Sequence, residues 1–114
     1  MECYRRAIEI NPKYTLAHLN LGSAFDKLKK YNKALTSINM ALEIDPKCAD
    51  AHCHLGIVLG YMGKYNEAIE SFKNAIKIDP KDVVAHQNLG FALRSIGKEN
   101  EAIECYKTAI EIDP

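Results

Sequence analysis

Apolar positions along this chain fall at helical spacings. Between residues 66 and 79, Ala68, Phe72, Ala75 and Ile76 stand at i, i+4, i+7 and i+8, the apolar stripe of an amphipathic helix. Just upstream, His52, Leu55, Gly56 and Leu59 stand at i, i+3, i+4 and i+7, which marks one face of another helix. Asp50, Cys53, His54, Ile57, Gly60 and Tyr61 fall on a second face of that same helix. One face can pack against the following helix; the other is left for something else.

The whole pattern recurs at a fixed interval. Gly22, Gly56 and Gly90 lie 34 residues apart, as do Ala41, Ala75 and Ala109, and the prolines Pro12, Pro46, Pro80 and Pro114. Such self-similarity decides the architecture before any local motif, because each copy must be one structural unit. Copies numbered from Thr15, Ala49 and Val83 predict helices over Thr15–Lys29, Asn32–Asp45, Ala49–Met62, Asn66–Asp79, Val83–Ile96 and Asn100–Asp113. Met1–Asn11 adds a seventh helix, stopped by Pro12, because the residue before proline is pushed out of the α region.

Local chemistry supports the boundaries. Asn32, Asn66 and Asn100 can cap the second helix of each copy through a side-chain oxygen. Gly63 and Gly97 close the preceding helices, since a left-handed C-terminal turn costs glycine little. Lys29 stands at that place in the first copy, whose corner is therefore expected to be the least regular. Gly22, Gly56 and Gly90 lie inside helices, where glycine costs about 1 kcal/mol relative to alanine. Close approach of Ala34, Ala68 and Ala102 on the partner helix is the expected compensation.

Composition narrows the function. Fifteen basic and fifteen acidic side chains cancel, so no basic stripe is available to neutralise a phosphate backbone, and no nucleic-acid partner is expected. The longest apolar run, Leu55 to Met62, is far short of a membrane span, and residues 1–10 lack the apolar core of a signal peptide. Cys3 and Cys105 share a small-residue position with Ser37 and Ser71, and Cys48 and Cys53 would point to different faces. All four are read as reduced thiols of a cytoplasmic, reducing environment.

Position by position, the repeat resembles the tetratricopeptide repeat. His18, His52 and His86 stand at its position 4, Leu-Gly at 7 and 8, Phe25, Leu59 and Leu93 at 11, and Tyr31 and Tyr65 at 17. Ala34, Ala68 and Ala102 stand at 20, Ile38, Phe72 and Tyr106 at 24, an alanine at 27 and a proline at 32. The resemblance covers the whole chain: residues 1–14 fit the second half of a preceding repeat, and 15–48, 49–82 and 83–114 are three repeats of one array, read as a piece of a longer protein. Histidine replaces the commoner tryptophan at position 4, Lys29 the glycine at 15, and Glu99 the tyrosine at 17.

The resemblance implies an all-α fold, a right-handed superhelical solenoid of antiparallel helix pairs with seven helices in all. Its first helices would line a concave groove that holds peptides. Leu19, Asn20, Ser23 and Lys27 would contribute from the first repeat, His54, Ile57 and Tyr61 from the second, and Gln87, Asn88, Phe91 and Arg94 from the third. Asn20, His54 and Asn88 share position 6, and side chains of this kind at a fixed spacing can pair with the backbone of an extended peptide. This phrasing is similar to the repeats of O-linked N-acetylglucosamine transferases, with His54 interrupting the asparagine row. Family members that grip an acidic chaperone tail use basic and amide residues where this chain has Leu19, Ser23, His54, Val84 and Asn88. The lysines and arginine of that clamp are absent, so tight capture of such a tail is not expected.

Neither catalysis nor a bound cofactor or metal is expected. His18, His52 and His86 come one per repeat on helices roughly 8–10 Å apart, whereas zinc ligand atoms lie about 2 Å from the metal. Each ring should instead reach water or a backbone carbonyl. Gly56, Gly60 and Gly63 do not have the spacing of a phosphate loop. The leading reading is a scaffold for a protein or peptide partner. The alternatives are weak self-association through uncapped array ends, and the substrate-recruiting arm of a larger enzyme.

Overall fold

The computed structural model describes residues 30–113 of the 114-residue chain. Among the described residues there are five helices: α1 (Tyr31–Ile44), α2 (Ala49–Tyr61), α3 (Tyr65–Ile78), α4 (Val83–Ser95) and α5 (Glu99–Ile112). No strand occurs among them. The helices expected over Met1–Asn11 and Thr15–Lys29, and the corner at Lys29, lie outside the described residues.

The helices form pairs that stack. α2 packs on α3 and α4 on α5, while α1 packs on α2 and α3 on α4. α2 also touches α4, so the first helices of successive pairs lie side by side. Alanines make this possible: Ala34, Ala41, Ala51, Ala68, Ala75, Ala85 and Ala102 are all buried, and their small side chains let helix axes approach. Between them sit the larger Ile38, Val58, Ile69, Phe72, Leu89 and Leu93. Burying a side chain the size of Phe72 contributes about 1.5–3 kcal/mol.

Within a pair the corner is three residues long. Gly63 and Gly97 have φ of 79° and 85°, the left-handed conformation that ends a helix without a Cβ clash. Lys64 N–H reaches back to Leu59 C=O at 2.9 Å and Gly63 N–H to Gly60 C=O at 3.0 Å, and Lys98 and Gly97 repeat both bonds on Leu93 and Arg94. These bonds satisfy carbonyls that the helix end would leave open.

The start of each second helix departs from expectation. The caps of α1, α3 and α5 are Lys30, Lys64 and Lys98, none with a side-chain hydrogen bond. Asn32, Asn66 and Asn100 lie one residue inside the helix rather than ahead of it. The tight glycine corner sets this register: once Gly63 turns the chain, Lys64 C=O already accepts from Ala68 N–H at 3.0 Å. A side-chain cap appears instead on α4, where Asp82 accepts from Ala85 N–H at 3.1 Å.

Between pairs, one corner is built twice. Asp45 and Asp79 end α1 and α3 in extended conformations, as the following proline requires. Their Oδ1 atoms accept from the backbone N–H of Lys47 and Lys81, each at 3.2 Å. His52 and His86 then donate Nε2–H to the carbonyls of Pro46 and Pro80, each at 2.9 Å. The position-4 histidine thus ties the first turn and a half of α2 and α4 to the corner that precedes it; His18 lies outside the described residues.

Cys48 needs a correction. It is buried and disulfide-bonded, with its partner outside the described residues, whereas Cys53 and Cys105 are free. The sequence reading weighed Cys48 only against Cys53, which is free, and spacing along the chain does not show other pairings. No helix among the described residues is long and apolar enough to cross a membrane.

Candidate functional site

The first helices carry the site. On α2, helical spacing puts Ile57, Gly60 and Tyr61 on the face turned away from the α3 stripe, and on α4 it does the same for Asn88 and Phe91. Because α2 and α4 are neighbours, these residues converge. A cleft of about 420 Å³ lies among Gly56, Ile57, Gly60 and Tyr61 of α2, Tyr65 and Phe72 of α3, and Asn88, Phe91 and Ala92 of α4.

The rim is unusually apolar for a surface. Phe91 is 58% exposed and Tyr61 64% exposed, and Val84, two turns before Phe91, is also exposed. These exposed apolar residues lie on the same two first helices that bound the cleft. Tyr61 is held in place from one side by Tyr31, with ring centroids 5.9 Å apart and planes 26° from parallel.

Asn88 has a buried neighbour on α2. Cys53 is buried on α2, beside the Asn88 side chain of α4. Burial, then the Asp82 and Asp50 carboxylates, push its thiol up to about 12, so it stays protonated across the physiological range.

One end of α2 is acidic. The carboxyl of Asp50 is held above its ordinary value, first by burial and then by Asp82 and Asp79, while His54 pulls it down. Arg94, exposed on α4, stands near the opposite end of that helix.

The interior glycines have a different partner from the one expected. A Cβ on Gly56 would lie 2.6 Å from Phe72 Cε1, and one on Gly90 would lie 2.9 Å from Tyr106 Cε1. It is thus the aromatic of position 24, not the alanine of position 20, that occupies the space the missing side chain leaves.

Of the residues singled out from sequence, Ile57, Tyr61, Asn88 and Phe91 share the cleft. His54, Gln87 and Arg94 lie outside its lining, His54 nearer Asp50 and the other two on α4. Leu19, Asn20, Ser23 and Lys27 lie outside the described residues. Sequence reading did not place Tyr65, Phe72 or Ala92 in the cleft. Tyr65 occupies the repeat's aromatic position 17, and Glu99 at the same position of the next copy offers no ring there.

A family model for the tetratricopeptide repeat matches residues 15–48, 49–82 and 83–114. No curated protein matches the chain. Among solved structures, MamA is 28% identical with a TM-score of 0.84, over 98% of this chain and 66% of that one, so the chain spans just under two thirds of MamA's length. The first repeat domain of Spaghetti (RPAP3), bound to the HSP90 peptide SRMEEVD, gives a TM-score of 0.89 at 20% identity, over 94% of this chain and 85% of that one. The repeat domain of Arabidopsis OM64 gives 0.87 at 24% identity, over 90% and 84%. Three matched repeats over most of the chain and the same stacked helix pairs lead to one conclusion: the protein belongs to the tetratricopeptide repeat family.

Proposed function

We propose that the chain is a protein-interaction scaffold that holds an extended peptide segment in the groove between its first helices, with no catalytic step of its own. The observation that carries this reading is the cleft in which Ile57, Tyr61, Asn88 and Phe91 converge, with large apolar side chains left exposed around the Asn88 amide. Repeats of this family are typically interaction modules, and RPAP3 holds a peptide on the same fold. The row of Asn20, His54 and Asn88, similar to that of O-linked N-acetylglucosamine transferase arrays, supports contact with peptide backbone in preference to particular side chains. Gln87, Arg94, Leu19, Ser23 and Lys27 would extend the groove beyond the cleft.

The test is a peptide-library screen with the 114-residue chain, repeated with Asn88→Ala and Phe91→Ala. Both changes should weaken capture, while Asn88→Ala leaves stability within about 0.5 kcal/mol, as for ordinary surface substitutions. Equal binding by both variants and the parent moves the site off this face.

A second reading is self-association. Ile103 and Ile110 are 46% and 63% exposed on α5, an apolar face that another copy could cover. Sedimentation at rising concentration tests it, and a monomer throughout rejects it.

A further inference from the structure

Two interior glycines of the described helices are explained by the rings packed over them; a third is not. A Cβ added to Gly60 would meet nothing within 4 Å, and its backbone does not adopt the positive φ that favours glycine at Gly63 and Gly97. Glycine inside a helix costs roughly 0.5–1 kcal/mol relative to alanine, and here no contact within the described chain offsets it. Gly60 lines the cleft, half-buried, between Gly56 and Tyr61. The room left by its absent side chain therefore belongs to the cleft, where a glycine allows a foreign group to approach the helix backbone.

The surroundings restrict that group. None of the nine lining residues carries a charge, and the volume of about 420 Å³ lies within the range of small-ligand pockets. Along the same face of α2, about 15 Å from Gly60 at 1.5 Å per residue, stands Asp50. Asp82, at the cap of α4, and Asp79 add like charge there, with His54 alongside. An extended peptide covers about 15 Å in four or five residues.

We propose that the cleft over Gly60 seats one long apolar side chain, of leucine, methionine or phenylalanine size, from an extended peptide that carries a lysine or arginine within about five residues. This rests on the groove reading above and adds the chemistry of the partner. The apolar side chain fills the space against Ile57, Phe72 and Phe91, Asn88 pairs with the adjacent backbone, and the basic residue lies toward Asp50 and Asp82. An acidic peptide of the kind RPAP3 holds would put like charges together at that end.

The experiment uses fluorescein-labelled nine-residue peptides whose centre is Leu, Met, Phe, Ala or Glu in a Gly-Ser background, with Lys or Glu four residues to either side. Leu, Met or Phe should bind about ten- to hundredfold tighter than Ala, the worth of burying such a side chain. Lys flanks should bind more tightly than Glu flanks, and Asp50→Asn should shrink that preference. Gly60→Leu, which fills the cleft with the protein's own side chain, should lower affinity at least tenfold with a melting temperature that is unchanged or raised. Gly60→Ala should lie between, which guards against misfolding of the leucine variant. If Asn88→Ala weakens binding but Gly60→Leu does not, or if a central Ala binds as well as Leu, the seat over Gly60 is wrong and the groove reading survives. Equal affinity for Lys and Glu flanks overturns the basic partner. No binding by any peptide, or binding indifferent to both Gly60 and Asn88, overturns the inference and the groove reading together.

Discussion

Ile69 and Ile103 occupy the same position in successive repeats, yet Ile69 is 6% exposed and Ile103 46%. The same divergence runs along both second helices. On α3, Ala68, Ile69, Ser71, Phe72 and Ala75 are buried, and on α5 only Ala102 and Ala109 are. Ile76 is half-buried where Ile110 is 63% exposed. The cause is α4, which packs on α3 in addition to α2. In a stacked array a second helix has two apolar faces, and the next repeat completes the burial of one of them. Identical residues in identical positions therefore carry different energies.

The sharpest way to break this comparison is truncation of the paired isoleucines. Ile69→Ala should cost about 2–4 kcal/mol in urea unfolding, the range for a core isoleucine, and Ile103→Ala about 0.5 kcal/mol or less. Equal costs would mean that α5 is covered in solution, which would favour self-association. Next in size are the paired glycines. Gly56→Leu should destabilise by about 1–3 kcal/mol, because the buried Phe72 ring must be displaced from its packing. Gly90→Leu should cost less, since the half-buried Tyr106 ring can swing outward; thermal melts of the two variants decide it.

The smallest effect separates the two free thiols. Burial raises both Cys53 and Cys105, Cys53 to about 12. A raised folded pKa means the native state holds its proton when the unfolded chain has lost it. The stabilisation is therefore complete below the unfolded thiol value near 9 and is lost as pH rises through that value toward 12. Stability should fall by about 1 kcal/mol between pH 8 and 10 through Cys53. Cys53→Ala should flatten that part of the pH profile, and Cys105→Ala should alter it less. An unchanged slope in Cys53→Ala would place Cys53 in a wetter site than its burial implies.

Much of this molecule was legible in its residues because a repeat states each structural instruction several times. The helix boundaries of the described region followed from the 3.6-residue stripes to within about one residue, and the corners followed from Gly63, Gly97 and the prolines. The position-4 histidines were expected to reach water or a carbonyl, and His52 and His86 reach the carbonyls of Pro46 and Pro80. Four of the proposed groove residues meet in one cleft for the same reason: helical spacing fixes which side chains share a face.

What sequence could not settle is what each face meets. Asn66 as a cap failed because hydrogen bonding at the glycine corner, not side-chain preference, starts the second helix. The partner of Gly56 was misassigned because periodicity places Ala68 and Phe72 on one stripe without saying which is long enough to reach across. Cys48 is disulfide-bonded, a pairing that spacing along the chain does not show. Tyr65 and Phe72 entered the cleft because a second helix closes it from below. Spacing along the chain is one-dimensional and determines local shape; the contents of a space bounded by three helices depend on distances that only the packed chain establishes.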